Sequence, residues 1–179
     1  MTFRTALCDL LGIEYPIVQS GMGGVAGPEL VAEVSRAGAL GVLAGVLIPP
    51  DQIRDGIHRI RALTDRPFGV NLWLHTELRP PVPSERISDQ TMAAAQGPLD
   101  TFRSRLGIPA ASSRPASPPD VIDAAIEVIL EERVPVLSTI FGPPDKALVG
   151  ECHRRGVKVI AMVATVDDAR RWPATGATS

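Results

Sequence analysis

The chain of 179 residues is 45% hydrophobic but only 4% aromatic, so aliphatic side chains and alanine must build its core. A formal net charge of -2 excludes the strong basicity of a nucleic-acid binder or of a protein held on an anionic membrane. Its two cysteines, Cys8 and Cys152, lack metal-ligand spacing and read as buried thiols in a reducing compartment, so no metal site is expected.

The N-terminal stretch MTFRTALCDLLGIEYP carries Arg4 and Asp9 where a signal peptide would have an apolar core. No run approaches the ~18 apolar residues of a membrane span. The expectation is a soluble cytoplasmic protein with neither nucleic acid nor membrane as partner.

Leu7, Leu10 and Leu11 follow i, i+3, i+4 spacing and predict a short amphipathic helix that Gly12 ends. Pro16 to Met22 is the first expected strand, and it leads into a glycine-dense turn within YPIVQSGMGGVAGP. Pro28 then opens a helix, with Glu29 at the positive end of its dipole and an apolar side of Leu30, Val31 and Val34. The run Leu40 to Ile48 (LGVLAGVLI) lacks alternation, which suits a parallel strand covered on both faces. Ile53, Ile57 and Ile60 mark the next helix, and Phe68 to Leu74 (FGVNLWL) is the third strand.

The stretch from Arg79 to Pro119 breaks this rhythm with RPPVPSE at one end and PAASSRPASPP at the other. Between them a helix is expected to begin at Pro98, on the spacing of Leu99, Phe102 and Leu106. The insertion, about 79–119, reads equally as a lid over the third strand or as a plain surface excursion. A helix from about Asp120 follows, then a strand at Val134 to Phe141, a helix closed by Gly156 and a strand at Val157 to Ala164. Thr165 and Asp168 form a capping box for a final helix. Five parallel strands alternating with helices make one α/β domain over 1–179.

The glycine turn has two readings. Gly21, Gly23 and Ala26 satisfy the dinucleotide fingerprint, but Pro28 starts the helix after Ala26, and no acidic residue ends the second strand. The alternative is a (β/α) barrel whose site lies at the C-terminal strand ends, where Gln19, Gly21 to Gly24, Asn71, His75, Ser138 and Thr139 fall. Asn71, mid-strand among apolar neighbours, needs hydrogen-bond partners or costs about 1–3 kcal/mol. A satisfied core asparagine and a ligand contact both remain open.

The phrases LLGIEYPIVQSGMGG, VSRAGALGVLAG, RPFGVNLWL, VPVLSTIFGPP and GVKVIAMVATVDDARR, in this order, resemble the flavin-dependent nitronate monooxygenase family, formerly 2-nitropropane dioxygenase. That resemblance implies a TIM-type barrel holding FMN, with the backbone of Gly21, Met22 and Gly23 against the flavin ring. It also implies that Asn71 bonds the ring's polar edge, with Gln19 a further candidate for the pocket. The implied reaction is oxidation of an alkyl nitronate with molecular oxygen. His75 is the one candidate base by position, and a nitronate, already an anion, does not require one.

The chain departs from the resemblance in lacking the later strands and the glycine-rich phosphate turn, leaving about five of the eight strands of a barrel. It is therefore expected to be a truncated member that holds FMN poorly alone and exposes strand edges through which it can self-associate. A flavin-dependent enoyl reductase-like enzyme and a non-catalytic barrel fragment are the alternatives.

Overall fold

The computed structural model describes residues 3–171 apart from 47, 75–78, 80–81, 111–113, 118 and 143. The chain divides into two compact units, one formed by Met1–Glu77 with Val121–Ser179 and the other by Leu78–Asp120.

The larger unit is built on a parallel sheet of four strands in sequential order, β1 (Gly41–Ala44), β2 (Phe68–Trp73), β3 (Val136–Ile140) and β4 (Lys158–Ala161). The connections run through α2 (Pro28–Arg36), which precedes β1, then α3 (Pro50–Leu63), α5 (Ile122–Glu131) and α6 (Lys146–Arg154). Neighbouring strands in sequence are neighbours in space, as βαβ units require. The sheet is that of an incomplete barrel. The expected first strand is reduced to a single parallel bridge, Val18 to Leu40.

Register sorts the side chains into two faces. Leu43, Val70, Leu137 and Val159 lie in one row, packed with Val31, Ile53, Ile57, Ile60 and Ile129 from the helices. Val42, Gly69, Val136 and Lys158 form a row on the opposite face. Cys8, Leu11 and Ile13 pack there with Leu40, Val42 and Val136 in a smaller second core. Cys8 and Leu11 belong to α1 (Ala6–Leu11), which ends where Gly12 takes φ 73°. Leu7 and Leu10 of the expected apolar side are instead exposed. In so short a helix two spacings are available, and the second core selects Cys8 with Leu11.

Gly41 is where α2 meets the sheet backbone to backbone. A Cβ there would stand 2.8 Å from Val31 Cα and 2.9 Å from its carbonyl carbon, and closer still to its oxygen. On the outer layer, Glu132 joins the end of α5 to α3, accepting from Arg54 at 2.5 Å and Arg61 at 2.9 Å and pairing with His58 at 3.0 Å. Burial raises the Glu132 pKa, but the hydrogen bonds from Arg54 and His58 outweigh it and hold the carboxyl below its ordinary range.

The smaller unit carries α4 (Asp89–Arg105), which begins at Asp89 rather than at Pro98 and contains that proline in its interior. Ser88 decides the start, its Oγ accepting from Thr91 N at 3.1 Å. Arg114 donates to the carbonyls of Ser84 (2.6 Å) and Ile87 (2.8 Å), and Arg79 donates to Asp120 at 2.9 Å. At the end of the larger unit, α7 (Val166–Arg171) starts with the expected box: Asp168 N donates to Thr165 Oγ1 at 3.0 Å, and that hydroxyl donates to Asp168 Oδ2 at 2.7 Å.

Candidate functional site

One row beyond Val42 on the face opposite the helices stand Ala44, Asn71, Ser138 and Ile160 in register. The Asn71 Nδ2 donates to Ser138 Oγ at 3.1 Å and, more weakly, to Ser138 O at 3.3 Å. No donor among the described residues reaches its Oδ1, so the half-buried carboxamide keeps an acceptor at the C-terminal part of the sheet.

Gly21 lies directly against this side chain. A Cβ on Gly21 would come within 2.8 Å of Asn71 Cβ and 3.4 Å of Ala44 Cα. The absence of a side chain at Gly21 is thus used for packing the turn onto Asn71. Beyond it the chain tightens: Val25 N and Ala26 N both donate to Met22 O, at 3.0 and 2.7 Å, and Gly24 takes φ 75°. Met22 and Gly23 are exposed, and a Cβ on Gly23 would meet only Val46, at 3.9 Å.

Further along β2 on the same face is Trp73, 37% exposed and edge-on to Phe141 with ring centroids 5.1 Å apart. Phe141 holds φ 60°, and Gly142 follows at φ 119°. Nothing in the apolar runs FGVNLWL and VLSTIFG singled out these two rings as partners. Met162, just after β4, is also exposed.

Of the residues singled out from sequence, Gly21, Met22, Gly23 and Asn71 therefore meet at one strand end. Gln19 sits beside them with its carboxamide engaged on the backbone of Val42: Val42 N donates to Oε1 at 3.1 Å and Nε2 donates to Val42 O at 3.3 Å. Ser138 joins the group, but Thr139 does not. Thr139 shares a row with Leu72 and Ala161 on the helix side, is fully buried, and its Oγ1 has no partner among the described residues. His75 lies outside the described residues. No cluster of three or more metal-ligating side chains occurs among the described residues.

The sequence pattern of the nitronate monooxygenase family matches residues 4–179. The chain belongs to the nitronate monooxygenase family. It is 31% identical over 170 residues to a probable nitronate monooxygenase of Staphylococcus saprophyticus, covering 94% of this chain and 45% of that protein. It is 30% identical over 181 residues to a nitronate monooxygenase of Paraburkholderia phytofirmans, covering 98% and 46%. Among solved structures, nitroalkane oxidase from Streptomyces ansochromogenes aligns with a TM-score of 0.73 at 32% identity, over 96% of this chain and 46% of that one. FabK from Thermotoga maritima aligns at 0.66 with 31% identity, over 94% and 40%. The family chain thus spans about half the length of the relatives it matches.

Proposed function

We propose that this chain forms the ring-side part of an FMN site at which alkyl nitronates are oxidised with molecular oxygen. The observation that carries the reading is the Asn71 carboxamide, held by Ser138 through its Nδ2, with Oδ1 left to accept and the Gly21 turn packed against it. A flat, polar-edged ring suits that arrangement: Asn71 would bond the polar edge, and the bare backbone of Gly21 to Gly23 would lie beside the ring. When bound, FMN supplies the acceptance of electrons from the substrate and their return to oxygen. The protein's own contribution is placement and the exclusion of water, with Trp73 and Met162 as apolar flanks. Nitronate and oxygen are accordingly the small-molecule partners.

Neutral nitroalkanes need a base at the α-carbon, and His75, two residues past β2 in sequence, is the proposed one. Purified chain, without the phosphate turn, is expected to bind FMN only weakly in a fluorescence titration and, with FMN in excess, to consume oxygen with a nitronate. Asn71→Ala should weaken FMN binding about tenfold, the scale of one lost hydrogen bond. His75→Ala should lower turnover of the nitroalkane while sparing the nitronate. Equal loss on both substrates would remove His75 from the base role, and FMN binding indifferent to Asn71→Ala would remove the carboxamide from the ring site.

A second reading is favoured by a relative from Rhodococcus jostii described as a hydroxy-methyl-oxo-octahydroindene-carboxyl-CoA dehydrogenase, 49% identical over 71 residues and covering 40% of this chain. It would make the substrate a CoA thioester, in the manner of flavin-dependent enoyl reductases. Oxidation of a CoA thioester coupled to reduction of an added electron-accepting dye, with no oxygen uptake on nitronate, would decide for it.

A further inference from the structure

The outer edge of β1 should be open, because the expected first strand pairs with it at one residue only. Yet Leu40, Val42 and Ala44, the residues that face outward along that edge, each have a partner. Leu40 N donates to Ile17 O at 2.9 Å, and Leu40 O accepts from Gln19 N at 2.9 Å. The next rung, two residues along, is Val42, and its partner is a side chain: Oε1 of Gln19 accepts from Val42 N and Nε2 donates to Val42 O. The rung after that, Ala44 N, donates to Ala26 O at 3.4 Å, on the far side of the glycine turn. Main chain, side chain and main chain again thus take successive places on one strand edge.

A carboxamide has the same donor and acceptor groups as a peptide unit, which is why it can take the place of one. Substituting it there frees the real backbone. From Ser20 onward the chain leaves the sheet one rung early, and Gly21 comes to rest on Asn71 and Ala44. Val42 is 1% exposed, so without Gln19 its N–H and C=O would be buried with nothing to bond.

We infer that Gln19 is a positioning residue: its carboxamide replaces a strand on the edge of β1 and thereby sets where the Gly21 turn lies against Asn71. Gln19 in this role touches the sheet and not the ligand. The edge-filling stands without the flavin reading, while the effect on FMN rests on it.

The test combines amide hydrogen exchange, the Asn71 side-chain amide resonance and FMN titration on the purified chain. Gln19→Met keeps the volume and removes both bonds to Val42, together with the one that Nε2 donates to Ser20 O. It should speed exchange at Val42 about tenfold or more while leaving Val70 unchanged, move the Asn71 side-chain resonance, and raise the FMN dissociation constant about tenfold. Gln19→Glu separates the two bonds. At pH 8 its carboxylate accepts from Val42 N but cannot donate, whereas the protonated carboxyl, whose share grows as the pH falls, does both. Val42 exchange should therefore stay near the wild-type rate, and the displacement of the Asn71 signal from wild type should shrink as the pH falls.

Unchanged Val42 exchange in Gln19→Met would overturn the edge role. Unchanged Val42 with a raised FMN dissociation constant would make Gln19 a ligand contact and overturn the proposal as a whole. Faster Val42 exchange with an unmoved Asn71 resonance would overturn the positioning role. Wild-type chain that binds no FMN would defeat the flavin reading alone, because Val42 and Asn71 still report on Gln19.

Discussion

Ser138 and Thr139 differ by one methyl group and one position, and they have opposite fates. Parity along β3 points Ser138 to Asn71 and Thr139 into the helix-side core, where its hydroxyl has no partner among the described residues. Because that hydroxyl loses its hydration for no bond, Thr139→Val should leave stability unchanged or raise it by about 1 kcal/mol, read as the melting temperature. A marked fall would mean that the hydroxyl is bonded after all. Cys152 shows the other consequence of burial. Fully buried in α6, its thiol is pushed up to about 11 from 9.0, chiefly by burial and secondarily by the charge of Glu151. Its folded value lies above its unfolded one, so its stabilising effect is complete below pH 9 and is lost as the pH rises towards 11. Cys152→Ala should accordingly flatten the fall in melting temperature across that window, and an identical fall in both proteins would contradict it.

At the scale of elements, the contact between α2 and β1 is the least tolerant. Gly41 has no positive φ to explain it; what requires it is the backbone of Val31, against which any Cβ would collide. Backbone cannot rotate away as a side chain can, so Gly41→Ala should destabilise by about 3 kcal/mol or more, measured by denaturant unfolding. A change below 1 kcal/mol would show that α2 slides easily over the sheet. By contrast, a Cβ at Gly56 would meet the Leu43 side-chain tip at 3.0 Å, which can move. The helices themselves were largely readable: Pro28, Gly12, Thr165 and Asp168 mark ends that the structure keeps, because capping acts within one turn. The start of α4 was missed because Leu99, Phe102 and Leu106 drew the boundary to Pro98. Those three side chains are exposed, and the cap is Ser88.

Across the whole molecule, the two sheet edges are unequal. The β1 edge is filled by residues 17–26, whereas β4 ends the sheet formed by the described strands. Lys158 N and Met162 N point to β3, bonding Pro135 O and Thr139 O at 3.0 and 2.8 Å, which leaves the N–H groups of Val159 and Ala161 pointing outward. Self-association is expected through this edge, and Ala161→Pro, which costs no bond to β3, should shift the protein towards monomer in sedimentation at raised concentration. Association indifferent to that change would place the contact elsewhere. By itself the sequence determined the alternation of strands and helices and the family, because apolar periodicity, caps and ordered phrases are local properties of the chain. Only the tertiary structure decided that Gln19 serves the sheet, that Ser138 rather than Thr139 faces Asn71, and that one edge is closed. Each of these depends on register between segments distant in sequence, and a shift of one residue reverses the face of every side chain.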